Sequence, residues 1–313
     1  MPSTIIIYAI TYTGVLAFIV ASVVRAVGYA RLPLHLRWEL YPVPHEEKER
    51  AKHGGSYYEQ KDWWTKPVHV NLTGELRSML VEIFLLKGLW DFRRKMWYRS
   101  YPFHLGLYML IGAAALLFSS AFLGFVAPGV WATGTGTVLY NAYAALGSTG
   151  AVLTLGGAVG LLIERLTDED LTPYTTAGDI FNLAFFIVTI GLLLSGYLLR
   201  PANSLGAFAL AHGTLTFDPE LQIPFPLATG LVLGALLIAY IPLTHMAHFI
   251  AKYFTYHSVR WSDKPNWKDS KLEAKLAECL AYRPTWTAPH VAGDGVKTWA
   301  EIATTNPAQG GRK

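Results

Sequence analysis

Cysteine is nearly absent from this chain of 313 residues, Cys279 being the only one. A single thiol excludes a disulfide framework, and it excludes an all-cysteine iron–sulfur cluster held by this chain alone. Charge is scarce as well. Only 15% of the residues are Asp, Glu, Lys or Arg, against 52% that are apolar, and the mean hydropathy is +0.29. Such a composition argues for a membrane protein before any motif is considered. No nucleophile with a neighbouring base, no hydrolytic metal motif and no internal repeat of the kind transporters carry is visible, and nothing suggests a nucleic-acid partner.

Five stretches are almost free of charge: roughly residues 5–27, 103–126, 138–163, 180–199 and 227–249. Each approaches the length of about 20 residues that a helix needs to cross a bilayer. Two soluble domains would have to bury such a stretch as a core helix five times over. The first run starts almost at the initiator, lacks a basic leader and is too long for a signal-peptide core, so it reads as an uncleaved anchor. The expected fold class is therefore all-α, an integral membrane five-helix bundle with a long cytoplasmic loop and a soluble C-terminal tail. Its parts are a first transmembrane helix (1–30), a loop with an amphipathic helix (31–100), a four-helix membrane core (101–254) and a C-terminal arm (255–313).

Lysine and arginine set the orientation. Residues 31–99 hold 13 of the 26 and residues 252–313 hold 10, the others being Arg25, Arg165 and Arg200. The connections near residues 129–136 and 202–226 carry none. Because basic residues stay on the cytoplasmic side, the N-terminus is expected outside and the C-terminus in the cytoplasm of a prokaryotic cell. The connection carrying Asp168-Glu169-Asp170 is then cytoplasmic, which the rule tolerates because acidic residues hardly count in it. Within the long loop, residues 71–100 show a helical apolar pattern (Leu76, Leu80, Ile83, Phe84, Leu86, Leu89, Trp90) interleaved with Arg77, Lys87 and Arg93-Arg94-Lys95. An amphipathic helix on the inner leaflet, in contact with lipid, fits that pattern.

Histidine is where the chemistry concentrates. An ionisable ring within an apolar span is costly enough to be read as functional, and neutral imidazole is the usual axial ligand of a haem iron. His104 lies in Phe103-His104-Leu105-Gly106, at the start of the second span. His245 and His248 lie in Pro242-Leu243-Thr244-His245-Met246-Ala247-His248, at the end of the fifth. Antiparallel helices bring two imidazoles to one depth only when one ligand is early and the other late, so all three rings are expected near the cytoplasmic face. Spacing alone does not choose between His245 and His248, since residues three apart share a helix face. Gly106 and Gly112 would admit a flat macrocycle, although small residues in membrane helices more often serve helix packing. His35, His45, His53 and His69 read as solvated loop residues, His257 as a juxtamembrane group and His290 as tail. His212, in an outer connection, is a secondary candidate for holding a quinone carbonyl.

The Phe103-His104-Leu105-Gly106 start of span two, the Pro242-x-Thr244-x-x-x-His248 pattern in span five, the five spans and the outside N-terminus together resemble the gamma subunit of respiratory nitrate reductase. The wider group takes in the cytochrome b subunits of heterodisulfide reductase and of quinone-linked complexes from sulfate reducers. The resemblance covers the membrane core and implies haem b, with His104 and His248 as the axial ligands of the cytoplasm-proximal haem. It further implies a quinone as substrate and a cytoplasmic iron–sulfur subunit, with other complex subunits, as partners. One departure is plain. The histidines that the nitrate reductase subunit uses for a distal haem have no counterpart in residues 110–122 or 227–240, so one haem is expected. The long aromatic loop and the tail lie nearer the heterodisulfide-reductase branch. The function expected is electron relay between the quinone pool and an iron–sulfur partner, the quinone head group binding near the same haem. The opposing reading is a haem-free anchor or transporter subunit.

Overall fold

The computed structural model describes residues 4–32, 49, 52, 61–67, 71–199, 206–256, 268–288 and 291–305. Among these, the helices in chain order are α1 (Thr4–Arg31), α2 (Leu72–Leu85), α3 (Lys87–Phe92), α4 (Arg94–Val126), α5 (Gly134–Thr167), α6 (Ala177–Leu198), α7 (Ala207–Thr216), α8 (Phe225–Tyr240), α9 (His248–Tyr256), α10 (Lys271–Leu280) and α11 (Trp299–Thr304). Five segments are long and apolar enough to cross a membrane: α1, α4, α5, α6 and Phe225–Leu243, which extends α8 by one tight turn. The chain is an all-α, multi-pass membrane protein. Two compact units are present, Met1–Ser22 with Val81–Ala247, and Val23–Leu80 with His248–Lys313.

In the first unit α4, α5, α6 and α8 run up and down as successive antiparallel neighbours, α4 on α5, α5 on α6 and α6 on α8. These helices carry apolar residues all round, because one side meets the bundle and the other meets hydrocarbon. Large side chains such as Leu16, Ile111 and Val152 are accordingly exposed. What holds the bundle is close approach. The Cβ that Gly106 lacks would sit 2.5 Å from the backbone nitrogen of Thr154, and that of Gly157 would sit 2.5 Å from the backbone nitrogen of Phe103. Gly106 is thereby committed to the α4–α5 seam, whereas nothing lies within 4 Å of a Cβ on Gly112. The first turns of α1 are tied to the connection between α7 and α8. Thr4, Tyr8 and Tyr12 donate hydroxyl hydrogen bonds to the carbonyls of Leu221, Asp218 and Thr214, at 2.6, 3.1 and 3.0 Å.

Two departures from the sequence pattern matter for the site. The helical pattern over residues 71–100 is realised as three pieces. Leu86 adopts a left-handed conformation (φ 51°) between α2 and α3, and Arg93 is non-helical before α4. Helix α4 then begins nine residues ahead of the expected span and runs through Pro102. Proline cannot donate to the Tyr98 carbonyl, which is tolerable here because that turn lies outside the apolar stretch. His104 thus stands in the third turn of its helix rather than the first. The second departure is at the fifth span, where helix gives way after Tyr240 to tight turns at Ile241–Leu243 and His245–Ala247. Thr244 is extended, and its hydroxyl accepts from the Met246 N–H at 3.2 Å. His245 and His248 therefore belong to different elements and do not share a helix face as their spacing suggested.

The second unit contains the last turns of α1 and the tail, whose described residues form two helices and a short β pair. Ser270 caps α10, Thr298 and Glu301 form a capping box on α11, and β1 (Thr287–Ala288) pairs antiparallel with β2 (Val291–Ala292). Trp286 meets Trp299 edge to face at 5.7 Å, and Tyr29 of α1 lies 6.0 Å from Phe254 of α9. His35, His45, His53, His69, His257 and His290 lie outside the described residues.

Candidate functional site

One end of the first unit gathers the polar side chains. It comprises the start of α4, the end of α5, the start of α6 and the turns after α8. Arg99 of α4 reaches Glu164 Oε1 of α5 at 3.0 Å, with the glutamate only 3% exposed and its Oε2 buried without a hydrogen-bond partner. Lys95 reaches Asp168 at 3.3 Å, and Arg93 reaches Asp170 at 3.4 Å. Arg165 lies 3.6 Å from Asp179. These pairs join α4 to the α5–α6 connection and α5 to α6. The surface pairs contribute little each, while the Arg99–Glu164 pair, largely out of water, would be costly to break.

The Lys95 ammonium hydrogen-bonds Asp168 and, with the backbone N–H groups of Asp170 and Leu171, holds its carboxyl below the usual carboxylate range despite some desolvation. A depressed acid stabilises the folded state above its unfolded pKa, and that stabilisation is lost as pH falls through the folded value. Asp168→Asn is therefore expected to lower the denaturation midpoint at pH 7 and to have no effect at pH 2. A measurement of detergent-solubilised protein at the two pH values checks this, and equal effects at both would refute it.

His104 is half-buried in this region. Its Nδ1 lies 2.7 Å from the Ser100 carbonyl oxygen and 3.3 Å from the Ser100 hydroxyl. A carbonyl can only accept, so Nδ1 carries the proton and the ring holds its lone pair on Nε2. Metal-ligating histidines commonly have their tautomer fixed in this way by a carbonyl on the other nitrogen. Phe103, next to it, packs edge to face on Phe186 at 5.2 Å. Phe103 and Phe186 form one apolar cluster with Ala158, Leu183 and Leu237, against which Met246 packs. The neighbours of His104 and His245 thus share a core.

His245 is engaged differently. Its Nε2 lies 3.4 Å from Asp179 Oδ1 and 3.3 Å from the Asn182 side-chain nitrogen, and 63% of its side chain is exposed. Asp179 is itself fixed, because it closes the capping box with Thr176 at the start of α6. The carboxylate calls for a proton on Nε2, which leaves Nδ1 as the basic nitrogen. Asn182 is 5% exposed and its Oδ1 has no partner. Turned so that Oδ1 faces the ring, the amide shares the single Nε2–H with Asp179. His248 opens α9 in the second unit with an exposed side chain. The candidate ligands His104 and His248 thus belong to different units, and their pairing rests on the sequence.

At the opposite end, His212 of α7 stacks on Phe125 at 4.7 Å, with Phe208 at 6.1 Å. Trp131 lies against Phe208 at 4.3 Å, its indole nitrogen buried without a partner. Among the described residues no three His, Cys, Asp or Glu side chains come together to hold a bare metal ion. Single imidazoles such as those of His104 and His248 are the donor type that a macrocycle bringing its own equatorial nitrogens takes.

Asp179, Asn182, Arg99 and Glu164 carry no motif. Asp179 could have been found through Thr-x-x-Asp ahead of an apolar run, Asn182 as a polar group inside one, and Glu164 as the acid that ends one. Set against family models, curated proteins and solved structures, the chain matches none.

Proposed function

We propose that this chain is a cytochrome b subunit that relays electrons between the membrane quinone pool and a cytoplasmic iron–sulfur subunit. The observation that carries the reading is His104, a histidine within an apolar span whose Nδ1–H is held by the Ser100 carbonyl at 2.7 Å, leaving the lone pair on Nε2. His104 and His248 are the axial ligands in this reading. His245 is taken as a neighbouring polar group rather than a ligand because the Pro242-x-Thr244-x-x-x-His248 pattern of the resemblance falls on His248. Bound haem b would supply reversible one-electron exchange. The chain contributes two imidazoles and a low-dielectric shell built from Phe103, Phe186 and Leu237. The resemblance of the histidine segments to those of the nitrate reductase gamma subunit and heterodisulfide reductase cytochromes supports the same assignment.

The distribution of lysine and arginine supports an N-terminus outside and a C-terminus in the cytoplasm of a prokaryote, which puts His104 and the ion pairs of Arg99 and Arg165 at the cytoplasmic face. A reduced-minus-oxidised absorbance spectrum of the purified chain tests the function. The sharp α-band of a low-spin haem is expected, whereas a flat difference spectrum would leave a haem-free anchor or transporter subunit. For orientation, a cysteine introduced at Gly134 is expected to react with an impermeant maleimide from outside intact cells. Labelling only after lysis would invert the assignment.

A further inference from the structure

We propose that His245, positioned by Asp179, is the group that binds the quinol head and accepts its protons, at the membrane edge of α6 and the turns that follow α8. The inference rests on the quinone-linked reading above and specifies where in the chain the quinol acts. Four observations converge there. His245 Nε2 is anchored to Asp179 Oδ1 at 3.4 Å, and Asp179 is in turn fixed by Thr176 and by Arg165 at 3.6 Å. The ring is oriented, yet 63% of the side chain remains exposed, so Nδ1 can meet a molecule arriving from outside the bundle. The same two elements carry a cluster of three aromatic rings packed on one another. Phe181 lies 5.8 Å from Tyr240 and 5.6 Å from Phe185, and Phe185 lies 6.0 Å from Tyr240. Phe181 is 54% exposed. Finally, Asn182 puts a buried amide among these rings, where only a polar neighbour justifies its presence.

An exposed aromatic ring with one oriented base on the neighbouring turn matches a dihydroxy-aromatic head group on an isoprenoid tail. The ring lies against the exposed Phe181, a hydroxyl donates to His245 Nδ1, and the tail stays in hydrocarbon. Oxidation of one quinol to quinone releases two electrons and two protons. The two electrons would leave singly, bound haem b supplying the one-electron exchange that passes them to an oxidised iron–sulfur cluster of the partner. The two hydroxyl protons leave in turn through His245 Nδ1 to water at the same face. Asp179 touches neither quinol nor haem and is a positioning residue. It keeps the proton on Nε2 and balances the imidazolium as it forms, with Arg165 the only other charged group bound to it among the described residues.

The test uses the full chain in detergent with menadiol as reductant. In His245→Gln the haem reducible by dithionite is retained, while menadiol-driven haem reduction slows by about 10²–10³-fold, the scale of a lost general base. Asp179→Asn slows it by about tenfold or more and moves the pH dependence of the rate, with a smaller change in the menadiol concentration for half-maximal rate. A purely structural aspartate would leave the pH profile in place. Phe181→Ala, an exposed position that does not threaten folding, raises that half-maximal concentration several-fold. Menadiol reduction at the wild-type rate in His245→Gln overturns the assignment, and so does loss of haem in that variant, which would make His245 a ligand. If His245→Gln does not fold, unchanged half-maximal concentration in Phe181→Ala overturns it equally. A wild-type chain without any haem spectrum refutes the underlying reading, an outcome distinguishable from all of these.

Discussion

Replacing His104 or His248 by alanine is expected to abolish the low-spin haem spectrum, whereas His245→Ala keeps most of it. The asymmetry follows from how each ring is held. His104 donates Nδ1–H to the carbonyl of Ser100, one turn earlier in α4, so its tautomer is set by the helix itself and survives substitution of any neighbouring side chain. In the cytochrome b reading, losing it would take away one of two imidazole ligands, which would leave a high-spin iron or no haem at all. His245 holds Nε2 against Asp179 and Asn182, and in this reading the second imidazole comes from His248, so His245 can lose its ring without loss of an iron ligand. His248 begins a separate helix beyond the Thr244 break, which lets the two histidines do different work although only three residues separate them. The measurement is haem content per chain by pyridine haemochrome, with the oxidised Soret position reporting spin state. Equal loss from His245→Ala with haem retained in His248→Ala would exchange the two residues in this scheme, and a spectrum indifferent to His104→Ala would remove haem ligation from α4.

The five spans were legible because hydrocarbon imposes a length and a composition that no other constraint mimics over about 20 residues. Their ends were less so. The stretch from Arg94 to Tyr101 mixes charge with aromatics, which hides from a hydropathy reading that α4 already runs through it. The break after Tyr240 was signalled by Pro242, but a proline one turn from a helix end is compatible with either a stop or a kink. Helix α7 was missed because ten residues are too short to span a bilayer and carry no charged cap at either end. Of the polar site, the histidines were readable one by one from their cost within apolar runs. Their partners were not. Asp179 and His245 lie 66 positions apart and meet only because α6 and the segment after α8 are brought together by packing; Arg99 and Glu164 meet in the same way across the α4–α5 seam.

That seam carries the second large effect. Gly157→Val and Gly106→Val are each expected to unfold or misassemble the bundle. A Cβ on Gly157 would stand 2.5 Å from the Phe103 nitrogen and 2.7 Å from its Cα, and one on Gly106 would stand 2.7 Å from the Gly150 carbonyl oxygen. These are backbone atoms of a facing helix and cannot rotate aside as a side-chain tip could, so the helices must separate along the whole contact. Overpacking that side chains absorb costs about 1–3 kcal/mol, and a clash with backbone belongs at or above the top of that range. The expected readout is loss of the monodisperse peak in mild detergent, or a fall of at least about 3 kcal/mol in stability where the variant can still be purified. Gly112→Ala and Gly156→Ala are the controls, since nothing lies within 4 Å of either added carbon, and alanine favours helix over glycine by up to about 1 kcal/mol. A Gly157→Val protein as stable as these controls would show that the α4–α5 contact is looser than a glycine seam requires. The consequence reaches the site directly. Phe103, against which Gly157 packs, is the residue before His104, so a displacement of α4 that relieves the clash also moves the imidazole away from its depth. Partial rescue by a smaller side chain should then restore helix packing and haem content together rather than one without the other.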